Sequence, residues 1–286
     1  WKKPAARPAC RRLLIRTQPP RLCRNNAYRK VRICPMNIFW DAEKYKKDFS
    51  FVPQYGEAVM DLLDAAPGSR VVDLGCGNGA LTEQLAACGY DVTGVDASAE
   101  MLELAREGHP DLKFLPGNAL DFTLDEPVDA VFSNAVLHWI DADKQQAMLD
   151  HIASQIKSGG LLVCEFGGKG CAETVHAALE KRFAAHGLHY LRTFYFPTVG
   201  EYAPLLEKAG FRVEFATLFD RPTKQNGPDG LADWIRMFDT APFSGVDPAL
   251  AAQIIDETVE DLRPVLLHDG VWYVDYVRIR FKVRKL

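Results

Sequence analysis

Residues 71–80 of the chain read VVDLGCGNGA, a short apolar run followed by three glycines at alternate positions. The run from Val71 to Leu74 is typical of a short buried strand. Glycines after a strand permit a sharp turn and a close approach of the backbone to a ligand, and a helix that follows presents free N–H groups. These residues therefore predict a strand, a ligand-binding loop and a helix, in that order.

The glycine loop alone is compatible with two kinds of cofactor. Gly75, Gly77 and Ala80 satisfy the dinucleotide pattern G-x-G-x-x-G/A, and Asp96 follows at the distance of a ribose-binding acid. Asp73, however, directly precedes the loop, where a carboxylate would repel a pyrophosphate but attract the ammonium group of a methionine. The loop therefore favours S-adenosylmethionine, and a nicotinamide-dependent oxidoreductase remains the alternative.

Strand and helix patterns alternate on both sides of the loop. The alternation predicts helices around residues 59–66, 81–88, 101–105 and 148–156, and strands at 91–95, 113–115, 128–132 and 161–166. Such alternation indicates right-handed crossovers and an open parallel sheet. Farther along, helices are expected around 175–183 and 202–209, and residues 211–219 and 276–283 alternate as strands with one wetter face. The segment at about 220–270 has its own helix signals, around Trp234 and Ile254, and is expected to be a lid or substrate-binding subdomain.

The first 35 residues differ in composition from the rest. Residues 1–40 hold eleven Lys and Arg and no acid, and five prolines interrupt residues 1–35. Prolines break helices, so an amphipathic targeting helix is disfavoured. We expect residues 1–35 to be a disordered or non-native basic tail, with residues 36–286 as the functional domain. A targeting segment and a basic arm for nucleic acid are the alternatives.

The composition of the remaining chain excludes several classes of protein. All 38 Asp and Glu lie after residue 40 against 23 basic residues, so we expect no nucleic-acid partner, because phosphate binding needs concentrated Lys and Arg. No apolar run approaches the roughly 20 residues that span a bilayer. The seven cysteines form no C-x-x-C pair, so we expect reduced thiols, no zinc site and a cytoplasmic protein.

Further motifs narrow the interpretation. Residues 133–139 read SNAVLHW, residues 165–168 read EFGG and residues 220–223 read DRPT. With the loop, these segments make residues 37–286 resemble the class I S-adenosylmethionine-dependent methyltransferases, and within them the trans-aconitate methyltransferase-like group. The resemblance implies an α/β Rossmann-like fold with a seven-stranded sheet, an antiparallel last strand and a helical lid insertion.

The resemblance also implies a binding site for S-adenosylmethionine. Asp73 would hold the ammonium group, and Asp96 would accept both ribose hydroxyls. Asn118, where many relatives have Asp, would contact the adenine through its carbonyl oxygen. The other residues expected to contact the cofactor lie in the loop and at strand ends: Gly75, Cys76, Gly77, Ala97, Met101, Ala119 and Asn134.

The expected reaction is methyl transfer to a small molecule, with a carboxyl or hydroxyl oxygen as the preferred acceptor. A carboxylate acceptor needs no general base at neutral pH, whereas a phenol or an amine usually does. His138 is the candidate base, and a purely structural histidine is an equally good interpretation. Substrate contacts are predicted for Tyr45, Trp139, Arg221 and Trp234. A protein that binds the cofactor without catalysis is a further alternative, and a monomer or homodimer is expected.

Overall fold

The computed structural model of the protein describes residues 58–286. The basic tail and the predicted substrate contact Tyr45 therefore lie outside the described residues.

A twisted mixed sheet forms the centre of the described residues. Its strands run in the order β3-β2-β1-β4-β5-β8-β6. Strands β1 to β5 pair in parallel, and β8 lies antiparallel between β5 and β6. This arrangement confirms the expected sheet with an antiparallel last strand. The strands are β1 Arg70–Leu74, β2 Asp91–Asp96, β3 Lys113–Pro116, β4 Val128–Asn134, β5 Ile156–Gly167, β6 Phe211–Lys224, β7 Leu267–His268 and β8 Val271–Lys285.

Helices connect the strands and cover both faces of the sheet. Several begin at side-chain caps: the Ser98 hydroxyl accepts a hydrogen bond from the Met101 N–H, and Thr198 and Glu201 form a reciprocal capping box. The helices are α1 Ala80–Ala87, α2 Ala99–Gly108, α3 Gln145–Ser154, α4 Glu173–Ala185, α5 Val199–Lys208, α6 Gly230–Phe238 and α7 Pro248–Leu266.

The described residues form separate hydrophobic cores, which pack on the two faces of the sheet and against the first half of β8. Alternate residues of β1 point to opposite faces, so that Val72 packs with α3 and α5 while Val71 packs with α1. A further core joins α4, α6, α7 and the first half of β8. The segment predicted as an insertion at about 220–270 thus supplies α6 and α7 and packs against the sheet through β8.

Two predicted helix boundaries are wrong. The helix expected over residues 59–66 ends at Met60, because the following backbone forms tight turns and the Tyr90 hydroxyl donates to the Leu63 carbonyl at 2.7 Å. Ile156 begins β5 rather than ending α3. No helix among residues 58–286 is long and apolar enough to span a membrane.

Candidate active site

The glycine loop connects β1 to α1 and lies against the end of β4. Gly75, Gly77 and Gly79 have φ values of 76°, 55° and 83°, which side-chain-bearing residues rarely adopt. A Cβ on Gly75 would lie 2.1 Å from Cγ2 of Val136, the second residue after β4, so the two loops touch. A Cβ on Gly77 would meet no atom of residues 58–286 within 4 Å. Among the described residues, the loop is therefore tightly packed on one side and faces open space at Gly77.

Asp96 ends β2 beside this open space. Its Oδ2 accepts a hydrogen bond from the Gly77 N–H at 2.9 Å, and its Oδ1 accepts one from the Ser98 N–H at 2.8 Å. Burial raises the pKa of Asp96, and these backbone N–H groups lower it. A carboxylate has about four acceptor positions, so each oxygen retains capacity for a further donor. The backbone holds this carboxylate in a fixed orientation.

Asp73 is a buried carboxylate beneath the loop. It is 1% exposed, and its Oδ2 accepts a hydrogen bond from the Thr82 hydroxyl at 2.7 Å. Burial raises the pKa of Asp73 to about 7, the Thr82 hydroxyl lowers it, and the negative charge of Asp96 raises it further. A nearby cation would favour the charged form of such a carboxylate. The base of the loop is therefore suited to a positively charged group.

A pocket of about 510 Å³, including its open mouth, has Ala135 among its lining residues, and Ala135 adjoins the Val136 that touches the glycine loop. Its walls come from the segment after β4, the start of α4, the segment between α4 and α5, helix α6 and strand β8. The lining residues are Ala135, His138, Trp139, Cys171, Ala172, Phe194, Phe196, Trp234, Phe238, Tyr276 and Arg278.

Aromatic rings packed against one another form most of this wall. Phe194 and Phe196 stack with their ring centres 5.3 Å apart, and the Trp139 ring centre lies 4.7 Å from that of Phe194. The Trp234 Nε1–H donates to the Tyr276 hydroxyl at 2.5 Å. Because these rings fix one another, the pocket has a rigid apolar surface that suits a flat molecule.

The titratable side chains His138, Cys171 and Tyr276 of the pocket are in states that do not suit a general base. His138 Nδ1 accepts a hydrogen bond from the Gly167 N–H at 3.3 Å, so the neutral ring carries its proton on Nε2. Burial and the positive charge of Arg278 hold the pKa of His138 well below its usual value. Burial raises the pKa of Cys171 and of Tyr276, so both remain protonated at neutral pH.

Arg278 is the cation in this pocket. Arg278 is 8% exposed, its guanidinium carbon lies 4.6 Å from the centre of the Tyr276 ring, and its buried Nε has no hydrogen-bond partner among residues 58–286. The guanidinium group therefore adds positive charge to an otherwise largely apolar wall.

Two pocket residues have a strained backbone. Ala135 has φ 62° and Ala172 has φ 52°, and a side-chain-bearing residue in this region costs roughly 1–2 kcal/mol. The Ala135 N–H donates to the Glu165 carbonyl and the Ala172 N–H donates to the Asp275 carbonyl, at 2.8 and 2.9 Å. Strain of this kind clusters at active sites, so the pocket has the backbone character of a functional site.

Comparison with known proteins agrees with this geometry. A model of the methyltransferase domain family matches residues 71–160, which run from β1 into β5. An uncharacterised methyltransferase of Schizosaccharomyces pombe is 30% identical over 259 residues, or 86% of this chain and 98% of the yeast protein. This chain belongs to the same family. It is a class I S-adenosylmethionine-dependent methyltransferase.

Other relatives of this methyltransferase share parts of the same pattern. Trans-aconitate 2-methyltransferase of Agrobacterium fabrum is 28% identical over 228 residues, which cover 74% of this chain and 82% of that enzyme. The solved structure of phosphoethanolamine N-methyltransferase 2 of Haemonchus contortus, in complex with S-adenosylmethionine, has the same fold. Its TM-score is 0.51 at 18% identity, and the match covers 81% of this chain and 52% of that one. The expected class and cofactor are confirmed, and the dinucleotide alternative is set aside.

The methyltransferase brings the predicted cofactor residues to one edge of the sheet. Asp73, the glycine loop and Asp96 lie together as described. Met101 is buried in α2, whereas Ala97 is exposed just before that helix. Asn118 follows β3, where its Oδ1 accepts a hydrogen bond from the Leu120 N–H at 3.0 Å. The two remaining predicted residues also lie at strand ends: buried Ala119 after β3 and half-buried Asn134 at the end of β4.

The predicted substrate residues are divided between two places. Trp139 and Trp234 line the pocket. Arg221 is not among the lining residues, because its guanidinium group donates to both oxygens of Glu165 at 2.7 and 2.8 Å. Arg280 donates to the same carboxylate through its Nε at 2.8 Å. Glu165, itself 2% exposed, therefore joins β5 to β6 and β8.

Several pocket residues were not predicted from the sequence. Phe194 and Phe196 lie in a connection without regular structure, and Tyr276 and Arg278 belong to the alternating pattern of the last strand. That alternation indicated one polar face, but it did not show that β8 lies between two other strands. An arginine on an interior strand would have been the useful signal, because a buried guanidinium is rare unless it is paired.

Proposed function

We propose that this methyltransferase transfers the methyl group of S-adenosylmethionine to an oxygen of a small organic acid, with a carboxylate as the acceptor. The observation that carries this proposal is the aromatic pocket beside the glycine loop, in which no side chain of the described residues is placed to act as a base at neutral pH. A hydroxyl oxygen is the second candidate, because the ring of His138 reaches the same pocket.

The residues at the loop fit the cofactor. We propose that Asp73 holds its ammonium group, since the raised pKa shows a buried carboxylate short of positive charge. Asp96 would accept the ribose hydroxyls with the lone pairs that the Gly77 and Ser98 N–H groups leave free. The remaining loop and strand-end residues, among them Asn118 and Asn134, would line the methionine and adenine portions.

The pocket residues align the acceptor and exclude water. When bound, the cofactor would supply a methyl group attached to a positively charged sulfur. The acceptor oxygen would form the new carbon–oxygen bond, and the sulfur would keep the electron pair of the carbon–sulfur bond that breaks. Such a displacement depends mainly on alignment and desolvation. The stacked rings of Phe194, Phe196 and Trp139 supply the dry wall, and the His138 Nε2–H would donate a hydrogen bond to the acceptor.

The protonation states in the pocket favour a carboxylate over a hydroxyl acceptor. The Nδ1 lone pair of His138 is already engaged by the Gly167 N–H. Cys171 and Tyr276 keep their protons at neutral pH because burial raises the pKa of each. A carboxylic acid is ionised at neutral pH without a general base. It is therefore an acceptor from which these side chains need not remove a proton.

We also propose that the segment at about 220–270, which begins with the last residues of β6, forms the lid of the substrate site. Helix α6 supplies Trp234 and Phe238 to the pocket, and α6 and α7 share a hydrophobic core with α4 and β8. An insertion that contributes one wall of a pocket controls which molecules enter it.

The acceptor proposal is tested by measuring methyl transfer to matched panels of carboxylic acids, phenols and primary amines. We expect formation of S-adenosylhomocysteine with acids, and a product whose methyl group is released by mild alkali, as esters are and ethers are not. At saturating S-adenosylmethionine, the rate should change little between pH 6 and about 9, because a carboxyl group with a pKa of about 4 is already ionised. Alkali-stable products, or turnover with phenols or amines alone, would contradict the carboxylate proposal.

A further inference from the structure

Arg278 lies opposite residues that cannot neutralise it. On β8 it pairs in register with Gly167 of β5 and Phe219 of β6, neither of which carries a charge. Two residues farther along β8, Arg280 lies opposite Glu165 and is paired with it. Both oxygens of Glu165 already accept hydrogen bonds from Arg221 and Arg280. Within residues 58–286, no carboxylate forms an ion pair with Arg278.

A buried guanidinium without an anionic partner is unfavourable, since desolvation of the charge is not offset. Contact with the Tyr276 ring at 4.6 Å offsets part of that penalty. The Nε of Arg278 is buried and has no hydrogen-bond partner in the part of the chain that the structure describes, and the side chain lines the pocket. The positive charge of Arg278 also acts on His138 of the same pocket, whose pKa it helps to lower. These observations point to an anion that the pocket is built to receive.

The position of Arg278 assigns that anion to the far end of the acceptor. One lining residue of the pocket, Ala135, lies next to the Val136 that touches the glycine loop. Strand β8 lies two strands away from β4, which is roughly 10 Å at the usual strand spacing. A group at Arg278 is therefore remote from the loop edge, where the methyl group would be delivered under the proposed function. The same guanidinium on the reacting oxygen would also reduce its nucleophilicity.

We propose that Arg278 binds a carboxylate of the acceptor that does not itself receive the methyl group. Resting on the proposed function, this inference restricts the substrates to small organic acids with a carboxylate at one end and the methyl-accepting oxygen at the other. The aromatic walls contact the flat apolar part between them. The methylated product then retains one negative charge.

The proposal is tested by equilibrium binding to the full chain saturated with S-adenosylhomocysteine, a measurement that needs no turnover. The probes are two acids, benzoate and trans-cinnamate, and their neutral amides of nearly the same shape. We expect each acid to bind at least about tenfold more tightly than its amide. Arg278→Met should remove this preference while leaving the affinity for the amides and for S-adenosylhomocysteine unchanged, and Arg278→Lys should keep part of it.

Arg263→Met is the matched control, because Arg263 also lies over an aromatic ring, that of Trp272, but outside the pocket. It should keep the full preference for acids. Equal affinities of acid and amide in the wild type, absence of acid binding at millimolar concentration, or an unchanged preference in Arg278→Met would each overturn the proposal. Acids that bind through Arg278 but are never methylated would instead refute the proposed function alone. Methylation of acids with the same KM by Arg278→Met would refute the anchor alone.

Discussion

Replacement of Asp73 by asparagine should stabilise the protein at alkaline pH and weaken its affinity for S-adenosylhomocysteine. Asparagine can still accept the hydrogen bond that the Thr82 hydroxyl donates at 2.7 Å, but it carries no charge. The buried carboxylate is unfavourable for folding when it is ionised, whereas under the proposed function the ammonium group of the cofactor pairs with that charge. Asp73→Asn should therefore change stability and binding in opposite directions.

The pKa shift of Asp73 gives the size of the effect on stability. Burial raises its pKa from 3.8 to about 7, and about three units at 1.36 kcal/mol each amount to about 4 kcal/mol. Between these two pH values the folded protein retains a proton that the unfolded chain has lost, so this group makes stability fall as pH rises. The full penalty is present above pH 7 and is absent below pH 4. The advantage of Asp73→Asn should therefore grow over that window.

Urea unfolding of both proteins at several pH values between 5 and 8 measures this difference, and calorimetric titration measures the binding. Asp129→Asn is the control with the opposite sign, because a hydrogen bond from Lys157 lowers the pKa of Asp129. Asp129 contributes stability above its unfolded pKa, and its removal should destabilise the protein at pH 8. The reasoning would be refuted if Asp73→Asn gave a pH-independent difference or lost stability at pH 8.

Two further substitutions test the site and its support. Asp96→Ala should abolish binding of S-adenosylhomocysteine with an unchanged circular dichroism spectrum, while Asp91→Ala, at the exposed start of the same strand, should bind normally; tight residual binding would remove Asp96 from the site. Glu165→Ala removes the carboxylate that two largely buried guanidinium groups share and should lower the free energy of unfolding by about 3–5 kcal/mol. Glu260→Ala, which breaks an exposed pair, should leave the free energy of unfolding nearly unchanged, and equal losses for the two variants would show that the Glu165 pairing is not specially important.

The sequence predicted the part of the fold in which local pattern and chain order suffice. The apolar run at Val71, the glycines after it and the acid at Asp96 are close in sequence, and the strand–helix alternation fixes how they come together. The structure places them as expected at one edge of the parallel strands. The helix predicted over residues 59–66 ends earlier than its pattern indicates. The Tyr90 hydroxyl, about thirty residues farther along, donates to backbone carbonyls that a longer helix would have used.

The sequence predicts only some residues of the proposed acceptor pocket, for a related reason. Trp139 belongs to the SNAVLHW segment and Trp234 to the predicted insertion, and both line the pocket. Arg221 is a candidate because an arginine can bind a carboxylate, but Glu165 of the protein occupies that role. Arg278 has the same chemistry and forms no ion pair with a carboxylate of residues 58–286. Which arginine is paired depends on the register of β8 with β5, and no local pattern contains that register.

The location of β8 has a consequence for how the enzyme is made. This strand follows every other strand in the chain, yet it lies between β5 and β6, and its partners in β5 are more than a hundred residues away. Contacts of such high sequence separation form slowly, since a long loop must close before they contribute. During synthesis the glycine loop and the first five strands can assemble while β6 has no neighbour. The enzyme should therefore acquire the ability to bind its cofactor before it acquires the β8 wall of the proposed acceptor pocket.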